Sequence, residues 1–149
     1  MKTIRKNKGF TLIEMLVVIA IIAVLVGVAI PVVSNSTTKA KAATDAANMR
    51  TIHAMANSIL YGTSPEAAIA DIESRHVECR SFKDAKLKIV FVHPAFVEIY
   101  FVVDDSAYYG LDYFTEVAQT GSSTVSTARP EFPGAQWYIV GESREIPVP

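Results

Sequence analysis

The feature that most constrains this chain is an uncharged apolar run from Met15 to Val33. As an α-helix, this run would be roughly 28 Å long, close to the hydrocarbon thickness of a bilayer, about 30 Å. The mean hydropathy of the whole chain is +0.27, which is high for a soluble domain of 149 residues. The sequence therefore predicts a membrane-inserting segment followed by one domain.

Charge is distributed unevenly around this run. Four of the 14 Lys and Arg residues precede Gly9, whereas none of the 15 acidic residues does. Basic residues beside a first membrane span tend to stay in the cytoplasm, so the body of the chain is expected on the opposite side. From Phe10 onward, ten basic side chains stand against fifteen acidic ones, a formal balance of −5. That balance argues against a nucleic-acid-binding body.

Glu14 lies at the entrance of the apolar run, where an ionised carboxylate costs roughly 2.5–3.5 kcal/mol on insertion scales. An ordinary secretory signal peptide could be cut at Ala40–Lys41–Ala42. However, the apolar run is longer than the usual region of about 7–15 residues, and that site lies well beyond its end. A plain signal anchor explains the length and the basic residues, but it leaves Glu14 unexplained.

A third interpretation accounts for all of these features. The stretch "KGFTLIEMLVVIAIIAVL" resembles the type III signal of type IV pilins and of the related pseudopilins of type II secretion and competence. In that family a membrane-embedded prepilin peptidase cuts after the glycine of a short basic leader, and the new N-terminal phenylalanine is N-methylated. The resemblance extends over residues 5–31, and it implies cleavage after Gly9 and methylation of Phe10.

The resemblance also gives Glu14 a partner. Glu14 lies about one helical turn after Phe10, and a buried charge requires a counter-charge. The resemblance implies that Glu14 pairs with the Phe10 amine of a neighbouring subunit and sets the axial register of a filament. The alternative is a carboxylate at headgroup level, near the positive end of its own helix.

Pro31 matches the helix proline common in this family. Proline removes its own N–H bond and crowds the carbonyl four residues earlier, which here belongs to Gly27, a poor helix former. The pair Gly27 and Pro31 therefore predicts a weak point in the helix. The resemblance implies partial melting there when subunits pack into a filament, and the alternative is a gentle kink without a function.

Beyond Val33 the sequence predicts an amphipathic continuation of the same helix. Seven apolar residues recur mostly at spacings of three or four, namely Ala42, Ala46, Met49, Ile52, Ala56, Ile59 and Leu60. Gly62 is expected to cap a helix that begins at about Phe10 and is roughly 78 Å long. Ser64 and Pro65 predict a short second helix that ends near Arg75.

The remaining segments predict an antiparallel sheet. The stretches "KLKIVFV" and "FVEIYFVVD", separated by a turn at His93–Pro94–Ala95, are rich in β-branched and aromatic residues. We interpret "DDSAYYGLDY" as a loop, "YFTEVAQ" as a possible third strand, "TGSSTVSTARPEFPG" as a loop and "AQWYIVGES" as the last strand. The expected fold is α+β, with a long N-terminal helix packed against a three- or four-stranded antiparallel head.

The predicted organisation has four parts: a leader at 1–9, a transmembrane and polymerisation helix at 10–33, its amphipathic half at 34–62 and a globular head at 63–149. With Cys79 alone, no intrachain disulfide can form. Cys79 is expected to be a small buried residue, or else to form an intermolecular bridge. No cofactor is predicted.

Candidate sites in the head are sparse. Asp104, Asp105 and Asp112 are candidate calcium ligands, although EF-hand spacing is absent and a solvated turn is the alternative. His76 and Cys79 would supply half a zinc site at most. No nucleophile–base arrangement surrounds His53 or His93, and no phosphate loop is present, so no enzymatic activity is expected.

Four aromatic residues of the head are expected in the core, or alternatively at a subunit contact or adhesive surface. They are Tyr108, Tyr109, Tyr113 and Trp137.

These observations predict a structural subunit of a type IV pilus or pilus-like filament. The alternatives are a minor pilin, a type II secretion or competence pseudopilin, or a monomeric membrane-tethered binding domain. The resemblance implies other pilins, a prepilin peptidase, an assembly ATPase and a membrane platform protein as partners. It also implies a single-pass protein of the cytoplasmic membrane, with its N-terminus in the cytoplasm, that later enters an extracellular or periplasmic filament.

Overall fold

The computed structural model describes residues 9–92 and 96–146. The leader before Gly9, the predicted turn at His93–Pro94–Ala95 and the last three residues lie outside this description. The chain divides into two compact units, Met1–Ser36 and Thr37–Pro149. We call them the N-terminal unit and the head unit.

The longest element is helix α1, which runs from Leu12 to Ala56. In the N-terminal unit its large apolar side chains are exposed, and Pro31 lies inside the helix without ending it. In the head unit α1 has one apolar face, where Ala42, Ala46, Met49, Ile52 and Ala56 are all buried. The predicted amphipathic continuation is therefore confirmed for these five positions, whereas Leu60 is 39% exposed.

Two short helices follow α1. Asn57–Tyr61 forms a 3₁₀-helix, which Gly62 ends in the left-handed conformation at φ 100°. Helix α2 runs from Pro65 to Ser74, and its N-terminus is capped by Ser64, whose Oγ accepts the N–H of Ala67 at 3.2 Å. Both features agree with the sequence prediction.

The head unit contains one antiparallel sheet of five strands in the order β3-β2-β1-β4-β5. The strands are β1 (Lys86–Val92), β2 (Phe96–Val103), β3 (Ala107–Tyr109), β4 (Gln136–Ile139) and β5 (Glu142–Ile146). The α+β class with a long N-terminal helix is confirmed, and the sheet has more strands than the three or four expected. One additional strand is Ala107–Tyr109, which was predicted as loop. The other is β5, which follows the turn at Gly141, where φ is 89°, and extends beyond the last predicted strand.

The prediction of a third strand at "YFTEVAQ" is wrong. This segment belongs to helix α3, which runs from Leu111 to Thr120. The helix therefore also includes the last three residues of the stretch "DDSAYYGLDY", which was predicted as a loop. Tyr and Val favoured a strand by propensity. The buried pair Phe114 and Val117, however, is spaced by three residues, which places both side chains on one helical face.

The sheet is covered on both faces. The helix face packs against α1 and α3 and contributes buried side chains at Leu87, Ile89, Phe91, Val97, Ile99, Phe101 and Tyr138. The opposite face, which we call the loop face, carries Val90, Val102, Tyr108 and Trp137. Residues 121–135 pass over the loop face, and Thr127 C=O accepts the backbone N–H of Tyr108 at 2.9 Å.

Candidate functional site

The residues that flank the predicted cleavage point precede the first helix. Gly9 and Phe10 are outside any helix or strand, and both are exposed, Phe10 to 82%. A Cβ added to Gly9 would have no atom within 4 Å. Packing against the described residues therefore does not require glycine at this position, and the close approach of a protease stays a prediction.

Thr11 and Glu14 form a reciprocal cap at the start of α1. One Glu14 oxygen, Oε2, accepts both the backbone N–H and the hydroxyl of Thr11 at 2.7 Å, while Thr11 Oγ1 accepts the N–H of Glu14 at 3.3 Å. This arrangement is a capping box, in which the N-cap residue and the third helical residue satisfy each other's N–H groups. Thr11 was not among the residues predicted from the sequence, although the Thr-x-x-Glu spacing was its signal.

The segment after Glu14 is suited to lipid. Among the described residues, the helical stretch Leu12–Tyr61 is long and apolar enough to cross a membrane, and an 18-residue window in it has a mean hydropathy of 3.2 and contains no buried residue. Such a surface, exposed all around the helix, cannot be stable in water, so it requires either lipid or other helices.

The predicted weak point lies toward the C-terminal end of the apolar run Met15–Val33. Gly27 has open space around it, and Pro31 cannot donate a hydrogen bond to the Gly27 carbonyl four residues earlier. The helix nevertheless continues through both residues as far as Ala56. In the isolated chain this position is helical, and its melting in a filament stays a prediction.

Residues 4–30 match the family model of the prokaryotic N-terminal methylation motif. The chain thus carries a type IV prepilin-like signal, and the resemblance stated from the sequence is confirmed. The matched segment contains Gly9, Phe10, Glu14 and Gly27 and ends just before Pro31.

The methylation motif supports a pilin-like or pseudopilin precursor, a class of structural rather than enzymatic proteins. It also implies pilus or pseudopilus assembly machinery and membrane association in general. No curated protein and no solved structure matches the chain significantly. The head unit must therefore be interpreted from its own residues.

Asp45 is a completely buried polar residue in the described part of the head unit. Asp45 lies on the apolar face of α1, between Ala42 and Met49, with 0% exposure. Its Oδ1 accepts the backbone N–H of Arg80 at 2.7 Å, and its Oδ2 accepts the N–H and the hydroxyl of Ser81 at 2.8 and 2.5 Å. The carboxylate thereby ties the segment before β1 to α1. An aspartate among the apolar positions of the helix was the signal that the sequence analysis overlooked.

Cys79 contacts the same carboxylate, and its Sγ lies 3.5 Å from Asp45 Oδ2. The thiol is half-buried rather than fully buried. Burial raises its pKa to about 11, and the charge of Asp45 adds to the effect, against hydrogen bonds from the backbone of Phe82 and Ser81. The thiol is therefore protonated at neutral pH, which disfavours the intermolecular bridge considered as an alternative.

The calcium candidates do not form a cluster. Asp105 binds Lys88 with 2.6 Å between Oδ1 and Nζ, and this hydrogen bond lowers the pKa of the Asp105 carboxyl. Asp104 belongs to the same turn, whereas Asp112 lies in the first turn of α3. In the part of the chain that the structure describes, no group of three His, Cys, Asp or Glu residues is placed to hold a metal ion, and His76 and Cys79 are therefore not part of such a group.

The four predicted aromatic residues are divided between the two faces of the sheet. Tyr108 contacts Trp137 edge-on at 5.9 Å on the loop face, where the Arg129 guanidinium lies 5.3 Å from the Trp137 ring. Tyr109 and Tyr113 contact each other at 4.7 Å on the helix face, next to Phe82. These contacts support the expected packing role in the core.

Proposed function

We propose that this chain is the precursor of a structural subunit of a type IV pilus or pilus-like filament. The observation that carries the proposal is the methylation motif at residues 4–30, followed by an apolar helical surface that the chain does not cover. A prepilin peptidase cuts after Gly9, and Phe10 becomes an N-methylated terminus. The role is structural, and no catalytic residue is assigned.

The capping box supports a two-stage role for Glu14. In the precursor, both hydrogen bonds from Thr11 to the carboxylate use Oε2, and none of the described residues binds Oε1. A carboxylate offers about four acceptor positions, so Oε1 can accept a further donor. After cleavage, the Phe10 amine of a neighbouring subunit supplies that donor and a positive charge. The pair neutralises two charges that lipid disfavours and sets the axial register between subunits.

Assembly then covers the apolar surface of α1. Helices leave the bilayer and bundle in the filament core, while the head units form the outside. Before assembly the subunit lies in the cytoplasmic membrane with its N-terminus in the cytoplasm, and afterwards it lies in an extracellular or periplasmic filament. Its partners are other pilin subunits, the prepilin peptidase, an assembly ATPase and a membrane platform protein.

The processing step is tested by the intact mass and N-terminal sequence of the protein, purified from cells that contain its native peptidase. The proposal requires a chain that begins with N-methylated Phe10. A chain that begins at Ala43 would instead indicate an ordinary secreted domain. An uncut chain would indicate a plain membrane anchor, as expected for a monomeric membrane-tethered binding domain.

The assembly step is tested by Glu14→Ala, with Glu131→Ala, an exposed glutamate of the head unit, as the matched control. We expect Glu14→Ala to enter the membrane and to be cleaved, yet to be depleted at least tenfold from sheared filaments. The Glu131→Ala protein should assemble normally. Normal incorporation of Glu14→Ala would show that the register does not depend on this carboxylate.

A further inference from the structure

A cavity of about 550 Å³ lies in the head unit between α1, β2, the start of α3 and the segment 125–130. Known sites for small ligands have volumes of about 300–1,000 Å³. The proposed filament role depends on the N-terminal helix and makes no use of this cavity. The chemistry of a ligand must therefore be inferred from the residues of the wall.

The inner end of the cavity is apolar. Met49 of α1 is 1% exposed and Ile99 of β2 is 3% exposed, so these two side chains form its floor. Leu111, Val125 and Pro130 extend the apolar wall outward, and Val125 is already 37% exposed. None of these side chains offers a hydrogen bond, so this part of the cavity suits a hydrocarbon group.

Two carboxylates, those of Glu98 and Asp112, also line the cavity. No described residue forms an ion pair or hydrogen bond with either side chain. Burial raises the pKa of Glu98, His53 opposes this effect, and the charge of Asp112 adds to it. Burial and the charges of both carboxylates raise the pKa of Tyr100 to about 12. The two carboxylates therefore lie close enough to repel each other, and a cation between them would remove that repulsion.

His53 does not supply this cation, because both of its ring nitrogens are engaged elsewhere. Its Nε2 donates to Val97 C=O at 3.0 Å, since a carbonyl only accepts. Its Nδ1 then accepts a hydrogen bond from the side-chain amide of Asn57 at 3.1 Å. The imidazole consequently has no N–H left to donate to Glu98.

Two other basic residues near the cavity are engaged as well. The Arg129 guanidinium lies 5.3 Å from the Trp137 ring. Lys88, which is paired with Tyr100 across the sheet, has its Nζ 2.6 Å from Asp105 Oδ1. Neither cation contacts Glu98 or Asp112, so within the described part of the wall the charge of these carboxylates is not neutralised by a salt bridge.

The wall suits an organic cation better than a metal ion. A calcium ion takes 6–8 oxygen ligands, and none of the described His, Cys, Asp and Glu residues form a group of three that could hold a metal. An ammonium group has three N–H donors, which two carboxylates can accept. The apolar floor would also contact a hydrocarbon chain attached to the nitrogen.

The arrangement of charge and apolar surface also sets the direction in which a ligand enters. Asp112 is exposed and Glu98 is half-buried, whereas Met49 and Ile99 are buried. The carboxylates thus lie nearer the mouth than the floor does. A ligand that satisfies both parts enters with its hydrocarbon end first, and its ammonium group stays near the mouth. A lysine side chain cannot enter in this way, because its hydrocarbon stem is attached to a backbone.

We propose that this cavity binds a free primary alkylamine in its ammonium form. The alkyl chain lies on Met49 and Ile99, and the ammonium group lies between the carboxylates of Glu98 and Asp112. The proposal is independent of the filament role, because it concerns the head unit alone.

The test uses the full-length chain in zwitterionic detergent micelles and pentylamine, which is protonated at neutral pH because the pKa of such amines is about 10.4, like that of lysine. Methyl NMR signals of Met49 and Leu111 report on binding. We expect both signals to shift with one saturable curve. Pentan-1-ol lacks the charge and pentanoate reverses it, so each should bind at least about tenfold more weakly.

Two further compounds test the apolar chain and its direction. Methylamine keeps the charge but lacks four methylene groups, so it should bind at least about tenfold more weakly than pentylamine. Nα-acetyl-lysine N-methylamide presents the same ammonium group on a tethered stem, and it should also bind at least about tenfold more weakly. Equal binding of the lysine compound would overturn entry by the hydrocarbon end and would indicate a site for a protein side chain.

Protein variants complete the test. Glu98→Gln and Asp112→Asn should each weaken binding of pentylamine at least about fivefold, since hydrogen bonds to charged groups are lost. Asp112 is exposed, so its variant separates lost binding from lost folding. Glu66→Gln, at an exposed glutamate on α2, is the control and should leave the affinity unchanged.

Three results would overturn the proposal. Unshifted methyl signals at a high concentration of pentylamine would show that only water occupies the cavity. Equal binding of pentan-1-ol would show that apolar partition alone accounts for the shifts. Unchanged affinity in both Glu98→Gln and Asp112→Asn would show that the carboxylates do not hold the ammonium group.

Discussion

The Ser81 hydroxyl donates a 2.5 Å hydrogen bond to the buried Asp45 carboxylate, and the Ser81 backbone N–H donates another at 2.8 Å. The two residues are 36 positions apart, one on α1 and the other just before β1. These hydrogen bonds join the segment before β1 to α1, which the sheet covers. They stabilise the head unit through polar contacts rather than through burial of apolar surface.

We expect Asp45→Ala to destabilise the head unit by about 3 kcal/mol. The substitution leaves the N–H groups of Arg80 and Ser81 without acceptors in the interior, and hydrogen bonds to charged groups contribute about 1.5–3 kcal/mol each. The measurement is urea unfolding of the full chain in micelles, followed by near-UV circular dichroism. Asp71→Ala, an exposed aspartate on α2, is the control and should change stability by less than about 0.5 kcal/mol. Equal midpoints for the two variants would contradict the anchoring role.

Thr11→Ala should loosen the first turn of α1. The substitution removes the hydroxyl that accepts the Glu14 N–H and donates to Glu14 Oε2. We expect amide hydrogen exchange at Glu14 to become about fivefold faster, the factor that corresponds to a typical lost N-cap. Thr11→Ser keeps the hydroxyl and should restore slow exchange. If Thr11→Ser exchanges as fast as Thr11→Ala, the methyl group rather than the capping box stabilises this turn.

The loop after α3 should respond to acid through Glu116. Its carboxylate accepts hydrogen bonds from the Ser123 hydroxyl, at 2.6 Å, and from the Thr124 N–H, at 3.1 Å, and these bonds lower its pKa from 4.5. Because the pKa is lower in the folded state, the ionised carboxylate stabilises the fold above pH 4.5. This stabilisation is lost as the pH falls through the lower pKa of the folded state.

The NMR signal of the Thr124 amide should therefore titrate with a midpoint below pH 4.5. Glu116→Gln should abolish this titration while the rest of the spectrum is retained. A Thr124 signal that still titrates in Glu116→Gln would assign the transition to another carboxyl group.

Cys79 should react slowly with iodoacetamide. A pKa of about 11 rather than 9.0 leaves roughly a hundredfold less thiolate at pH 8. The higher nucleophilicity of a more basic thiolate offsets about one factor of ten, so we expect a rate about tenfold below that of a free cysteine peptide. The rate should rise with pH up to about 11. A plateau near pH 9 would show that burial does not shift this pKa.

Several parts of the molecule could be predicted from sequence because their signals are local. Glu14 and Pro31 belong to one contiguous segment, and the apolar face of α1 follows from spacing alone. The N-cap at Ser64 and the helix end at Gly62 are likewise signalled by residue type at one position. Each of these features depends on residues within a few turns of the same helix.

The features that were missed depend on residues distant in the chain. Asp45 could be seen as an exception to the apolar face, but its partners at Arg80 and Ser81 become neighbours only after the connecting segment returns to α1. Helix α3 was hidden because Tyr113, Phe114 and Val117 are strand formers by propensity, and packing on the helix face overrides that preference.

The bonds of Asp45 also have a mechanical consequence. Within the head unit, a pull along α1 would act on the apolar face that packs against the sheet. There the bonds from Asp45 to Arg80 and Ser81 would share the load in parallel, whereas apolar contacts slide more readily because they lack direction. Under such a pull, one aspartate resists the slip of the helix along the sheet.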